Sequence, residues 1–222
     1  MDFILDLLFP NRCPCCGTFI TFDKLVCDEC ELPVIKACDK CGKLPCECSV
    51  KGSFAFDKVF VLYKYDGAAA NGITAFKHGD NTNFAKHAAD LLARLIAINK
   101  TDESLIVPVP MRFKTLIERG YNQSEIISRR ISVQTGIPHR KDILIRSGKS
   151  LTQRGLTAQM RAENVKSYSI CDVNLKGNSI ILCDDVLTTG STANKCAELL
   201  KSKGAEKVVL AVIATTSSNS NK

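Results

Sequence analysis

The stretch Ile180-Ile-Leu-Cys-Asp-Asp-Val-Leu-Thr-Thr-Gly-Ser-Thr192 constrains this chain more than any other part of it. It reads as a buried strand, an acid pair, a turn of small residues and the start of a helix. Two carboxylates directly after an apolar strand are costly unless they are paired or bound. Thr188, Thr189, Gly190, Ser191 and Thr192 follow with hydroxyls and backbone N–H groups, and the glycine lets the backbone approach a ligand. The helix is expected to start near Thr192 and run over Ala193–Lys203, with Gly204 as the residue that ends it. Its N-terminus adds partial positive charge to the loop, which suits a phosphate. An ordinary strand-to-helix turn capped by Asp185 is the plain structural alternative.

The rest of the chain alternates strand and helix patterns. Phe56–Tyr65, Leu105–Val109, Asp142–Ile145, Ser179–Cys183 and Lys207–Ala214 read as strands. Phe84–Ile98 carries an apolar face at helical spacing, and Asn122–Thr135 reads as a helix with Ile126, Ile127 and Ile131 inward and Gly136 at its end. Such alternation predicts an α/β fold with a parallel sheet and crossover helices, whose ligands bind beyond the carboxyl ends of the strands. A length of 222 residues suits one ordinary domain with a small appendage. The boundary is expected near Ser49–Ser53, dividing the chain into 1–50 and 51–222, with a disordered tail over 215–222.

Cysteines crowd the N-terminal part, at 13, 15, 16, 27, 30, 38, 41, 46 and 48. Cys13-x-x-Cys16 with Cys27-x-x-Cys30 has the spacing of paired zinc knuckles. Cys38-x-x-Cys41 with Cys46-x-Cys48 repeats the arrangement with a shortened last knuckle. Met1–Pro10 is apolar but carries Asp2 and Asp6 and lacks a basic start, so it does not read as a secretory signal. In a reducing cytoplasm, clustered thiols bind metal more often than they form disulfides. Two zinc sites are expected; a single site, or a redox or iron–sulfur role, are the alternatives. Cys15 is the spare sulfur, either replacing Cys13 or Cys16 or standing free. Four thiolates leave no open position, so the metal is expected to be a structural staple for a segment with little apolar core of its own. Eight thiolates with two zinc ions contribute about −4, which brings the formal charge of +7 to roughly +3 and weakens any inference from basicity to nucleic-acid binding.

Three more segments could complete a site. Met111–Glu125 brings Arg112, Lys114 and Arg119, cations able to neutralise a pyrophosphate, before a turn at Gly120-Tyr-Asn-Gln123. Ser150–Asn164 is polar and basic and is expected to act as a mobile covering loop. Ala75-Phe-Lys-His-Gly-Asp80 reads as a short basic turn before a helix. His78, His87 and His139 have no metal-like spacing, and Cys171, Cys183 and Cys196 read as small apolar residues. Arg129, Arg130, Arg140, Lys141, Arg146 and Lys149 form a basic zone, either a solvated face or a contact for nucleic acid. No run of about 18 apolar residues is present, so no membrane span is expected.

The Ile180–Thr192 stretch resembles the signature of the type I phosphoribosyltransferase family: an apolar strand, two acids, two variable residues and a T-G-x-T-like loop. That resemblance implies that Asp184 and Asp185 engage the ribose hydroxyls and the Mg²⁺-linked sugar of phosphoribosyl pyrophosphate (PRPP). It gives Thr188–Thr192 the 5′-phosphate. The hypoxanthine–guanine type enzymes carry an aspartate where this chain has Thr188, which disfavours purine salvage of that kind. The cysteine-rich start, V-P-V-P-x-R…R-G-Y-N-Q and D-D-V-x-T-T-G-x-T together resemble the competence protein F (ComF) family over nearly the whole chain. The family departs from this chain at the Cys46-x-Cys48 knuckle and at Arg154. The resemblance implies a double zinc-ribbon module on a type I phosphoribosyltransferase-like fold, cytoplasmic and associated with DNA uptake in natural competence. It implies PRPP with Mg²⁺ as ligand and phosphoribosyl transfer as the reaction, with no motif for the acceptor or the oligomeric state. Two rival readings share these motifs: a non-enzymatic factor handling single-stranded DNA with the competence machinery, and a PRPP-sensing module.

Overall fold

A computed structural model of the chain describes residues 11–51, 53–78, 81–99, 102–147 and 167–216. Its centre is a four-stranded, all-parallel sheet in the order β1 (Lys58–Lys64), β6 (Lys207–Thr215), β5 (Ser179–Leu187), β2 (Leu105–Pro108). The inner strands β5 and β6 read as continuous apolar runs because both of their faces are covered. Alternate side chains leave on opposite faces. Ile181, Cys183, Val209, Ala211 and Ile213 join one core, and Ile180, Leu182, Val208, Leu210 and Val212 join the other.

Helices α1 (Gly67–His78), α2 (Asn83–Ile98) and α4 (Gln123–Thr135) supply the first core through Ile73, Phe76, Phe84, Leu92, Ile127 and Ile131. Cys13, Cys15, Val26, Cys27 and Cys30 are buried in this same core, so the cysteine-rich start is packed against the helical layer. The second core lies under α5 (Ser191–Ser202), with Ala193, Cys196, Ala197 and Leu200 inward. A short helix, α3 (Phe113–Arg119), follows β2 and buries none of its residues.

Both edges of the sheet are covered. Along β1, Ile35 N donates to Leu62 O at 2.8 Å and Val59 N donates to Asp39 O at 2.7 Å. Along β2, Ile106 N donates to Pro138 O at 2.8 Å and Arg140 N donates to Ile106 O at 2.9 Å. Edge groups satisfied in this way cannot template pairing with another chain.

Five expectations are corrected. The strand expected at Asp142–Ile145 is β3 (Leu144–Arg146), which pairs antiparallel with β4 (Tyr168–Ile170) outside the parallel sheet. β5 continues beyond Cys183 to Leu187, because β6 pairs with it as far as Leu187↔Thr215; the acid pair therefore sits inside the strand. Ala75–Asp80 is not a turn up to His78 but the last part of α1. The Met111–Glu125 segment includes a helix, α3, which the sequence hides because it presents no apolar stripe to a core. The Ser150–Asn164 loop, Lys149 of the basic zone, Met1–Pro10 and the tail from residue 217 lie outside the described residues. Thr215, expected in a disordered tail, is instead the buried last residue of β6, paired with Leu187. No helix among the described residues is long and apolar enough to cross a membrane.

Gly72 explains why α1 escapes a pattern search. A glycine in mid-helix lowers propensity, yet here a Cβ would lie 2.5 Å from Cγ of Phe84, the first buried residue of α2. Gly72→Ala is expected to destabilise the protein by about 1–3 kcal/mol despite the gain in helix propensity. Thermal melts check this, and Phe84→Leu in the same chain should recover part of the loss.

Candidate functional site

The carboxyl end of β5 opens into a cleft of about 300 Å³. Asp184 and Asp185 reach it from the strand, Arg112 and Arg119 from the flanks of α3, Asn122, Gln123 and Ser124 from the start of α4, and Thr192 from α5. Lys77 from the end of α1, Arg146 of β3 and Tyr168 of β4 complete the wall. Of the cations expected here, Arg112 and Arg119 line the cleft; Lys114 does not. Its side chain is 65% exposed on the outer face of α3, near Glu118.

The acid pair is held by different partners. Asp184 Oδ1 accepts from Ser124 Oγ at 2.9 Å and from the Asp185 amide at 2.9 Å. Lys77 Nζ lies 2.7 Å from Asp185 Oδ2, with both side chains largely buried. Burial, reinforced by the Asp185 charge, pushes the Asp184 carboxyl up to about 7. A like-charge pair in a partly desolvated place is a site that a cation or a hydroxyl-bearing ligand relieves.

Each residue of the Arg119-Gly-Tyr-Asn-Gln123 motif holds a defined place at the cleft. Gly120 takes the left-handed conformation (φ 78°) that ends α3. The Tyr121 ring stacks on Phe76 at 5.7 Å, and its hydroxyl donates to the Phe76 carbonyl. Asn122 caps α4 by accepting from Ser124 N at 3.1 Å, while its amide donates to Val109 O at 3.0 Å. Gln123 is 2% exposed and accepts from Arg119 at 3.3 Å, which holds the guanidinium at the cleft wall. The motif thus fixes α1, the end of β2 and the start of α4 relative to one another.

After Leu187 the chain forms the small-residue loop. Thr188, Thr189 and Ser191 are exposed, and Gly190 is buried at φ 84° as the residue preceding α5. The Thr189 and Ser191 hydroxyls lie 2.9 Å apart. A Cβ on Gly190 would meet the Phe54 ring at 2.8 Å, so both conformation and space require glycine. The loop thus presents hydroxyls and the first amides of a 12-residue helix at the surface beside the cleft.

The cysteines gather into two clusters, Cys13/Cys16/Cys27/Cys30 and Cys38/Cys41/Cys46/Cys48, the sulfurs of each lying within 4.8 Å of one another. Sulfur separations of 3.6 Å (Cys16–Cys27), 3.7 Å (Cys38–Cys48) and 3.9 Å (Cys41–Cys46) match the roughly 3.8 Å edge of a tetrahedron with ~2.3 Å metal–sulfur bonds. None of the twelve cysteines is in a disulfide, and the shortened Cys46-x-Cys48 knuckle closes as well as the other three. Cys15 stands outside the first cluster, 5% exposed in the core, with its thiol pushed up to about 12 by burial. Cys183 and Cys196 are core residues, as their scattered positions suggested.

The basic zone does not form one free patch. Arg129 and Lys141 both pair with Glu125, Arg130 with Asp90, and Arg140 with Asp142. Arg146 instead turns into the cleft over the Tyr168 ring, 4.7 Å from its centroid. Sequence reasoning therefore missed Arg146, Tyr168, Ser124 and Lys77 as wall residues. Only Lys77 had a signal, in the basic Lys-His-Gly-Asp stretch, where His78 proves exposed.

The raised Asp184 pKa sets a direction for stability. The folded chain holds this proton up to about pH 7, whereas the unfolded chain releases it near 3.8, so the contribution of Asp184 to stability falls as pH rises between those values. Asp184→Asn keeps an Oδ1 acceptor for Ser124 and Asp185. It is expected to be more stable than wild type by on the order of 1–3 kcal/mol at pH 8, with the gap closing towards pH 4 in melts over that range.

Comparison with known proteins follows the same lines. The family model for the phosphoribosyl transferase domain matches residues 79–221. Competence protein F of Haemophilus influenzae is 29% identical over 217 residues, 90% of this chain and 95% of that protein. The DNA utilization protein YhgH of Escherichia coli K12 is 25% identical over 201 residues, 88% of this chain and 86% of that protein. Among solved structures, an allosteric regulatory enzyme of purine biosynthesis matches with a TM-score of 0.42 at 19% identity, over 61% of this chain and 27% of that one, so this chain spans about a quarter of its length. The family model covers well over half of the chain, which therefore belongs to the phosphoribosyl transferase domain family; within it, the similarity to competence protein F and the DNA utilization protein over most of the chain supports the competence protein F family.

Proposed function

We propose that this protein binds PRPP with Mg²⁺ at the carboxyl end of β5 and transfers its phosphoribosyl group to an acceptor, in a process connected with DNA uptake. The observation that carries this reading is the placement of an acid pair at one end of a cleft walled by Arg112, Arg119 and Arg146, beside a hydroxyl-rich loop at a helix N-terminus. Asp184 and Asp185 would accept hydrogen bonds from the ribose hydroxyls and fix the ring. Thr188, Thr189, Gly190, Ser191 and Thr192 would hold the 5′-phosphate with hydroxyls and amides. The arginines would hold the pyrophosphate as the bond from C1 to its oxygen breaks, while the acceptor bonds to C1 and gives up a proton. Lys114 has no part in that arrangement. Asp184 and Asp185 offer the hard oxygen donors that would hold Mg²⁺, which would supply charge neutralisation for the acids and for the departing pyrophosphate.

The two cysteine clusters are read as structural zinc sites, one ion each, since four thiolates fill the coordination shell. The connection with DNA rests on the names carried by relatives, competence protein F and DNA utilization protein. Those names also sustain a second reading, in which the protein handles single-stranded DNA without turnover.

Calorimetry with PRPP and Mg²⁺ is expected to show binding that Asp184→Asn/Asp185→Asn weakens about 100-fold or more, since each lost charged hydrogen bond costs roughly 1.5–3 kcal/mol. Absence of binding to the wild-type protein would remove the reading. Pyrophosphate release in the presence of bases, amines or oligonucleotides separates transfer from sensing, and DNA affinity that survives the double substitution assigns DNA handling to another surface. Metal analysis should return close to two zinc ions per chain, and a chelator strong enough to strip them should lower the thermal midpoint.

A further inference from the structure

The second cysteine cluster does more than close a knuckle, because Lys43, two residues beyond Cys41, runs through the protein to the loop after β5. Its side chain is 2% exposed. Its ammonium donates to the carbonyls of Leu187 (3.1 Å), Thr188 and Thr216 (3.0 Å), with the Thr216 hydroxyl at 3.3 Å. Three carbonyls match the three donors of an ammonium. The knuckle itself sits against the same place: a Cβ on Gly42 would collide with the Leu187 side chain and come within 3.0 Å of Val59. Gly42 N donates to Cys38 O at 2.8 Å and Cys38 N to Lys43 O at 3.1 Å, so the turn that carries Lys43 is the turn that presents two of the cluster's sulfurs.

We propose that Lys43 is a positioning residue for the anion loop, and that closure of the Cys38/Cys41/Cys46/Cys48 cluster is what holds it in place. The reason is the geometry of the peptide unit. In a trans peptide the carbonyl and the following N–H point in opposite directions. Drawing the Leu187 and Thr188 carbonyls inward onto Lys43 therefore turns the N–H groups of Thr188 and Thr189 outward, the direction from which a phosphate arrives. The buried ammonium also places a positive charge beneath the loop, where screening by solvent is weak. A loop of threonines, serine and glycine would otherwise sample many conformations, and ordering it at the moment of binding would cost affinity. Metal in the second cluster and phosphate at the loop are thus coupled through one side chain. The proposal rests on the phosphate-binding reading of the loop, but the coupling can be observed without any ligand.

Amide hydrogen exchange on the zinc-loaded full chain tests it, comparing wild type, Lys43→Met and Cys46→Ser, the last opening the cluster with Lys43 intact. Protection at the Thr216 amide, which donates to the Leu187 carbonyl at 3.2 Å, and at the Asn194 amide, which donates to the Gly190 carbonyl at 2.8 Å, is expected to fall about tenfold or more in both variants, while α2 keeps wild-type protection as the control for folding. PRPP affinity should fall in parallel by about tenfold or more, and Lys43→Arg, which keeps the charge, should recover part of both. Zinc content separates the two steps: Lys43→Met should retain two ions and Cys46→Ser about one. Wild-type exchange at Thr216 and Asn194 in either variant whose α2 remains protected overturns the proposal. If wild type does not bind PRPP at all, the functional reading fails while the exchange comparison still decides the role of Lys43.

Discussion

Both acids of the cleft stand on β5, the strand held on both sides by parallel neighbours. Pairing with β2 ends at Pro108↔Cys183, but pairing with β6 continues to Leu187↔Thr215. Over that last stretch one side of β5 is open, and this is where the sheet can expose polar side chains without losing its ladder. Asp184 and Asp185 stand at this half-open end. Asp184 borrows the N-terminus of α4 through Ser124, and Asp185 borrows the end of α1 through Lys77. The carboxylates are tolerated because two helices from the first core arrive with a hydroxyl and an ammonium.

The cysteine-rich start is integrated with this frame. Cys13, Cys15, Cys27 and Cys30 are part of the first core, and residues 35–39 hydrogen-bond along β1. The segment covers an edge that would otherwise present open backbone groups to other chains. Its second knuckle lies against Leu187 and sends Lys43 to the start of the loop. Few large apolar side chains are available to this segment, so a metal ion held by each cluster would supply order that packing alone would not.

Much of the fold was legible. Burial on both faces makes β5 and β6 read as unbroken apolar runs, and the stripes of α2 and α4 follow the helical period. What escaped was whatever lacked a stripe or a local partner. α1 is interrupted by a glycine that serves the Phe84 ring, and α3 buries nothing. β3 and β4 are three residues each and pair only with one another, across a segment that separates them in sequence. At the site, the acid pair, the loop, Arg112 and Arg119 stood out by residue type, whereas Lys114, equally basic, proved to lie on the outer face of α3. Arg146 looked like one member of a charged run and turned out to face the cleft, since strand alternation in β3 decides its direction.

By itself the sequence determined the strands of the parallel sheet, the helices α2, α4 and α5, the spacing of the two sets of four sulfurs, and the chemistry gathered between Ile180 and Thr192. These follow from local rules: hydrophobic period, knuckle spacing, and the scarcity of adjacent acids after an apolar strand. Only the tertiary structure decided which cations meet the acids, that Cys15 belongs to the core, and that Lys43 reaches a loop more than a hundred residues away. Such pairings depend on how far each side chain extends across packed layers, and no local pattern in a chain encodes that distance.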